Sequence, residues 1–205
     1  PAGEGSATCI RIADPSGLFV AKDFLVTHNS SAGAIKAWLY GQAQPGARGA
    51  VIRNTWPALR DTTQRTVFDW LPPGVAGRYE ASTKTYYCRT ADGRPLELLF
   101  RAMDDRADIS NVLSLDLAFA WLDEPQGGLS MRTEQNVVHE PGMAHELYQA
   151  ITARLGRQKG YPPMHWLTGN PPEPGHWIAR EFAYTPGKSG NDPPTNTRHV
   201  RIYLP

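Results

Sequence analysis

Leu113-Ser114-Leu115-Asp116-Leu117-Ala118-Phe119-Ala120-Trp121-Leu122-Asp123-Glu124-Pro125 is the stretch on which the fold turns. Residues 115–122 are nearly all apolar and contain neither glycine nor proline, which suits a fully buried central strand. The run ends abruptly at two adjacent carboxylates. Its neighbours follow a matching rhythm. Residues 164–167 form a short apolar strand downstream, and Ala50-Val51-Ile52 one upstream. Residues 83–89 and 96–101 read as a hairpin around Ala91-Asp92-Gly93. Residues 31–40 and 146–155 have helical spacing, and residues 57–70 form a helix stopped by Pro72-Pro73. Strands alternating with helices predict an α/β fold with a mostly parallel sheet. No internal repeat is visible.

The chain has 205 residues, of which 40% are hydrophobic, enough for one domain with a small appendage and a real core. A net charge of +1, from 21 basic and 20 acidic side chains, neither demands nor excludes a nucleic-acid partner. No apolar run is long enough to span a membrane, and the N-terminus lacks the basic and apolar regions of a signal peptide. Two cysteines, Cys9 and Cys88, argue against a disulfide framework and fit a reducing compartment. The chain starts at Pro1 and stops just after the strand-like run His199-Val200-Arg201-Ile202-Tyr203, so it reads as a fragment.

Residues 8–28 have a different character. Partly alternating runs at residues 9–12 and 18–26, with a turn signal at Asp14-Pro15-Ser16-Gly17 and a second turn at residues 21–23, predict short β-strands. The run closes on His28-Asn29-Ser30. Cys9-Ile10-Arg11-Ile12, Asp14, Leu18-Phe19-Val20 and Asp23-Phe24-Leu25-Val26-Thr27-His28-Asn29-Ser30 together resemble the last two conserved blocks of an intein. The resemblance implies a β-rich Hint-type segment over residues 1–29. In it the Asn29 amide attacks its own carbonyl and cuts the chain, while His28 polarises that carbonyl. Ser30 supplies the hydroxyl that accepts the upstream protein as an ester. Gly17 stands where inteins usually carry a histidine. Cys9 stands where many carry an aspartate, and reads either as an alternative first nucleophile or as a small buried side chain.

From Ser30 to Pro205 the chain resembles the ATPase domain of phage large terminase subunits. An apolar strand delivering Asp123-Glu124 is similar to a Walker B element, in which the aspartate serves a Mg²⁺ ion and the glutamate polarises the attacking water. Trp166-Leu167-Thr168-Gly169-Asn170-Pro171-Pro172 looks like the terminase coupling motif, whose Thr168 and Asn170 would sense the γ-phosphate; Gly-Asn-Pro-Pro is also strong turn chemistry by itself. Leu98-Leu99-Phe100-Arg101-Ala102-Met103-Asp104-Asp105 stands at the family's usual distance before Walker B. Arg53, after Val51-Ile52, reads either as a nucleotide contact or as a strand-end surface charge.

No Walker A sequence occurs in these residues. Its expected place, just before the helix at 31–40, is where the intein-like ending stands. Splicing would join an upstream Gly-Lys to Ser30, making one residue both splicing acceptor and Mg²⁺-binding hydroxyl. The resemblances imply an intein segment at 1–29 and a partial ATPase domain at 30–205, without a nuclease domain. They imply an incomplete P-loop NTPase sheet lacking the Walker A strand and loop, with the absent strand expected beside residues 115–122 and leaving them an unpaired edge. They also imply ATP and Mg²⁺ as cofactors and the cytoplasm of an infected bacterium as location. The implied partners are the upstream N-terminal segment, double-stranded DNA, a portal, a small terminase subunit and copies of the chain in a ring. Another intein-interrupted P-loop motor, such as a helicase, and a non-enzymatic α/β binding domain are the alternatives.

Overall fold

In a computed structural model the chain is described at residues 19–20, 26–27, 29–103, 106–127, 131–133, 136–138, 142–169 and 176–181. It divides into two units, residues 1–28 with 171–205, and residues 29–170. The first contains strands β1 (Phe19–Val20) and β2 (Val26–Thr27), paired antiparallel with Phe19 opposite Thr27. It also contains a short helix at Trp177–Glu181, where the Ile178 N–H donates to His176 Nδ1 at 3.1 Å. The strands expected at residues 9–12 and 199–203 lie outside the described residues.

The second unit opens with helix α1 (Asn29–Ala43), followed by strand β3 (Arg48–Arg53). Pro45 and Gly46, at φ 83°, separate them. A single helical run then covers residues 56–70, as the sequence predicts, but in three pieces. Helix α2 (Trp56–Ala58) is capped by Thr55, whose side chain accepts the Ala58 N–H at 3.4 Å. A π-helical turn (Leu59–Gln64) and helix α3 (Arg65–Trp70) complete it. Strands β4 (Gly77–Glu80), β5 (Thr85–Cys88) and β6 (Leu96–Ala102) come next, then helix α4 (Arg106–Leu113) and strand β7 (Phe119–Asp123). A small hairpin, β8 (Met131–Thr133) with β9 (Asn136–Val138), leads to helix α5 (His145–Thr152) and strand β10 (Met164–Thr168).

Six strands form one sheet in the order β10-β7-β3-β6-β5-β4. The pairs β10–β7, β7–β3 and β3–β6 are parallel, whereas β6–β5 and β5–β4 are antiparallel. This corrects one expectation. Strand β7 has parallel neighbours on both sides, so residues 119–123 have no unpaired edge; among the described strands the edge beside it is β10. The reason lies in register. Leu122 pairs with Ile52 on one side and Leu167 on the other, so three apolar runs bury one another.

Side-chain alternation along β7 divides the core. Phe119 and Trp121 face α1, together with Val51, Leu98, Phe100 and Trp166. Phe119 stacks on Trp166 at 5.1 Å, and the Lys36 ammonium of α1 lies 5.0 Å from the centre of the Trp166 ring. Ala120 and Leu122 point the other way and are equally buried. On that side Tyr148 of α5 meets His165 of β10 at 3.0 Å. Each fully buried large side chain contributes roughly 2–3 kcal/mol. By the same alternation Asp123 belongs to the α1 face, which brings it under the start of α1.

Candidate functional site

Asp123 ends β7 with 0% of its surface exposed, and four side chains converge on its carboxylate. Ser30, in the first turn of α1, donates to Oδ1 at 3.0 Å and to Oδ2 at 3.1 Å. Thr168, at the end of β10, donates to Oδ1 at 2.6 Å. Thr63, from the π-helical turn, donates to Oδ2 at 2.5 Å. Arg53, at the end of β3, approaches Oδ2 with Nη1 at 3.2 Å. A buried carboxylate is costly unless charge and hydrogen bonds are both supplied, and here the ends of three adjacent parallel strands supply much of both. Ligands bind beyond such carboxyl-terminal strand ends in open α/β sheets.

Ser30 has a single hydroxyl proton, and that proton goes to Asp123. Toward any further group its oxygen can act only as an acceptor or a metal ligand. It stands in the first turn of a 15-residue helix, whose opening backbone N–H groups have no intrahelical partner. No acidic side chain occupies that turn. Such a helix start attracts anions.

Glu124 follows in the left-handed backbone region, at φ 50°. Its N–H donates to the Thr168 carbonyl at 2.7 Å, and its carboxylate accepts from Gln126 Nε2. Gln126 in turn lies over Gly169, where a Cβ would collide with Gln126 Oε1. The second carboxylate is therefore tied to the turn after β10. Trp121 is tied to the same corner. Its indole N–H donates to Thr168 Oγ1 at 2.6 Å.

Ser30, Asp123 and Thr168 are thus brought together, with Glu124 adjacent. Asn29 begins α1. Cys9, His28 and Asn170 lie outside the described residues, as does the Asn29 side chain. Arg53 is an interior charge, 18% exposed at its side chain, rather than a surface one. Thr63, Gln126 and Trp121 went unnoticed in the sequence. Arg53 stood in the sequence as a nucleotide contact or a surface charge, but its place beside Asp123 follows from a parallel register, Ile52 opposite Leu122, that the sequence does not signal. Thr63 carries no signal either, because its approach depends on the π-helical turn.

No protein-family model matches the chain, and neither does any curated protein. Solved structures do. The large terminase of a thermophilic bacteriophage superposes with a TM-score of 0.60 at 15% identity, over 75% of this chain and 34% of that one. The fold resembles that of a phage large terminase. The same phage's terminase in complex with ADP gives a TM-score of 0.52 at 14% identity, over 73% of this chain and 32% of that one. The ATPase domain of the Thermus phage P74-26 large terminase, in a mutant form, gives 0.51 at 16% identity, over 90% of this chain and 67% of that one. The chain therefore spans about a third of the length of the first of these terminases and two thirds of the P74-26 domain. The terminase-like region includes the six-stranded, mostly parallel sheet. No helix among the described residues is long and apolar enough to cross a membrane.

Proposed function

We propose that this chain carries the larger part of a DNA-packaging ATPase, preceded by the C-terminal segment of an intein that splices it to an upstream Walker A segment. One observation carries the reading. Ser30, the residue a splicing reaction would leave at the junction, donates to Asp123 across 93 residues of sequence. A P-loop motor needs that pairing of helix-start hydroxyl and strand-end carboxylate. The terminase-like fold supports it, as does the ADP complex of one structural neighbour.

The donor set suits Mg²⁺. Hydroxyl and carboxylate oxygens are hard ligands, and Mg²⁺ commonly binds through one or two carboxylates, waters and substrate phosphates. Ser30 would hold it directly and Asp123 through the Ser30 hydroxyl, because Asp123 is fully buried with both oxygens hydrogen-bonded; the ion would neutralise charge developing on the phosphates. With its proton on Asp123, Ser30 can meet a cation only through its oxygen lone pairs. Glu124 accepts a proton as a water oxygen bonds to the γ-phosphorus and the bond to the β–γ bridging oxygen breaks, releasing ADP and phosphate. Thr168 and Asn170 respond to the γ-phosphate. In the joined protein, hydrolysis drives double-stranded DNA through a portal into a capsid, with copies of the chain in a ring and a small terminase subunit recognising the DNA, in the cytoplasm of an infected bacterium. At the boundary of the N-terminal segment, His28 and Asn29 carry out cleavage and Ser30, the first residue after it, accepts the upstream protein, with Cys9 as a candidate first nucleophile.

Glu124→Gln in the joined protein tests the assignment. The variant keeps shape but loses basicity, so it should bind ATP like the parent and hydrolyse at least about 100-fold more slowly. Hydrolysis at the parental rate would remove the basis for a motor.

A further inference from the structure

We infer that Arg53 and Thr63 are positioning residues for Asp123, a two-residue clamp that fixes its carboxylate so that the Ser30 proton stays on it and the Ser30 lone pairs are left to a metal ion. The inference rests on the nucleotide-site reading above; it adds Thr63, which no feature of the sequence marked, and gives Arg53 a role on Asp123 in place of a nucleotide contact. An aspartate side chain turns about two torsions, so a carboxylate held on one flank only can swing. Asp123 is held on both. Thr168 takes Oδ1 at 2.6 Å, while Thr63 and Arg53 take Oδ2 at 2.5 and 3.2 Å. Ser30 lies almost equidistant from the two oxygens, at 3.0 and 3.1 Å, between the two flanks. A carboxylate free to swing would not hold both distances.

The clamp is itself braced. Arg53 Nη1 also donates to Thr62 Oγ1 at 2.7 Å and to Thr63 Oγ1 at 3.1 Å. Thr62 in turn donates to the Ala58 carbonyl at 2.6 Å. Thr63 therefore spends its one proton on Asp123 while its oxygen accepts from Arg53. The guanidinium thus reaches the carboxylate directly and through a hydroxyl, and charge-assisted bonds of this kind are the strong ones. The π-helical turn makes the arrangement possible. Each π turn adds a residue relative to α-helical phase, rotating the later side chains by about 100°. Thr63, inside that turn, is fully buried against the site, whereas Thr62 bonds back to its own helix.

A role in packing alone and a role in positioning predict different results in the joined protein. Thr63→Val keeps shape and removes the proton, and Thr63→Ser keeps the proton. Manganese binding in the presence of ADP, followed by electron paramagnetic resonance, should weaken about tenfold in Thr63→Val and return in Thr63→Ser, the size typical of losing a residue that orients a metal ligand. ADP binding without metal should stay within about twofold, and kcat should fall more than KM rises. All the Arg53 bonds come from Nη1, so Arg53→Gln, which keeps an N–H donor but removes the charge behind both bonds, should show the same metal defect in a variant whose cooperative melting shows it folded. It provides the test if Thr63→Val fails to fold. Parental manganese affinity in Thr63→Val or Arg53→Gln overturns the clamp, as does equal impairment of the Val and Ser variants. Parental affinity in Asp123→Asn would instead overturn the nucleotide-site reading, and the clamp with it.

Discussion

Gly33 shows how tightly a single residue can be bound to the site. A Cβ there would run into the Trp121 ring, and Trp121 is fully buried with its N–H committed to Thr168. Alanine is worth about 1 kcal/mol over glycine in a helix, but overpacking a rigid core costs about 1–3 kcal/mol. The second effect wins because the indole has no room to retreat. Gly33→Ala should therefore lower the urea midpoint, and a raised midpoint would contradict this packing. Cys88 illustrates the opposite, a reactive group made inert. Burial pushes its thiol up to about 12, and the thiolate is the nucleophile. At pH 8 iodoacetamide should leave Cys88 unlabelled in the native protein and label it in urea, as read by peptide mass spectrometry. Native labelling at the unfolded rate would show that the residue is not buried.

At the level of elements, the helical run at residues 56–70 was legible from spacing and from its proline stop, but its π-helical turn was not. Composition does not mark where a hydrogen-bond pattern widens. Likewise, β7 starts at Phe119 rather than at residue 115. Leu117 forms only an isolated bridge with Leu155, so apolar content extended further than strand pairing. Helix α4 and strand β4 were missed because their short runs carry little periodicity. Strand β4 gains its place from packing. Phe68 of α3 meets Tyr79 of β4 at 5.1 Å, Tyr86 of β5 at 5.4 Å and Phe100 of β6 at 6.0 Å, edge to face. Such contacts add to the area they bury. Phe68→Ala should cost about 3 kcal/mol and speed amide exchange in β4 and β5 more than in β7. Uniform exchange across the sheet would mean that the aromatic cluster does not hold these strands.

At the scale of the whole molecule, the proposed reading makes Ser30 both the splicing acceptor and the nucleotide-site hydroxyl. Supplied with an N-terminal intein partner, the chain is expected to splice, yielding a shorter, joined ATPase that begins upstream and continues through Ser30. Asn29→Ala should stop release of the intein segment while leaving a branched ester at Ser30, because ester formation needs the hydroxyl but not the asparagine amide. Mass spectrometry of the products checks this, and normal splicing of Asn29→Ala would refute the intein assignment. The 205-residue chain by itself should hydrolyse ATP negligibly, since phosphate-cradling glycines and lysine do not occur in its sequence. Turnover that Glu124→Gln abolishes would contradict that.

The sequence by itself determined the α/β class, the buried strand with its two terminal carboxylates, and the candidacy of Ser30, Asp123 and Thr168. Each of these is written locally, in apolar runs, turn residues and short motifs. Only the tertiary structure decided which strands flank β7 and which side chains complete the carboxylate's shell. Strand order around β7 depends on pairings between residues some 45 to 70 apart, as when Gly49 and Met164 both meet Phe119. The shell depends on the phase of a helix at its π turn, which admits Thr63, and on a parallel register that lays Arg53 beside Asp123. Periodicity shows that a side chain turns inward; only the packed neighbours determine what it meets there.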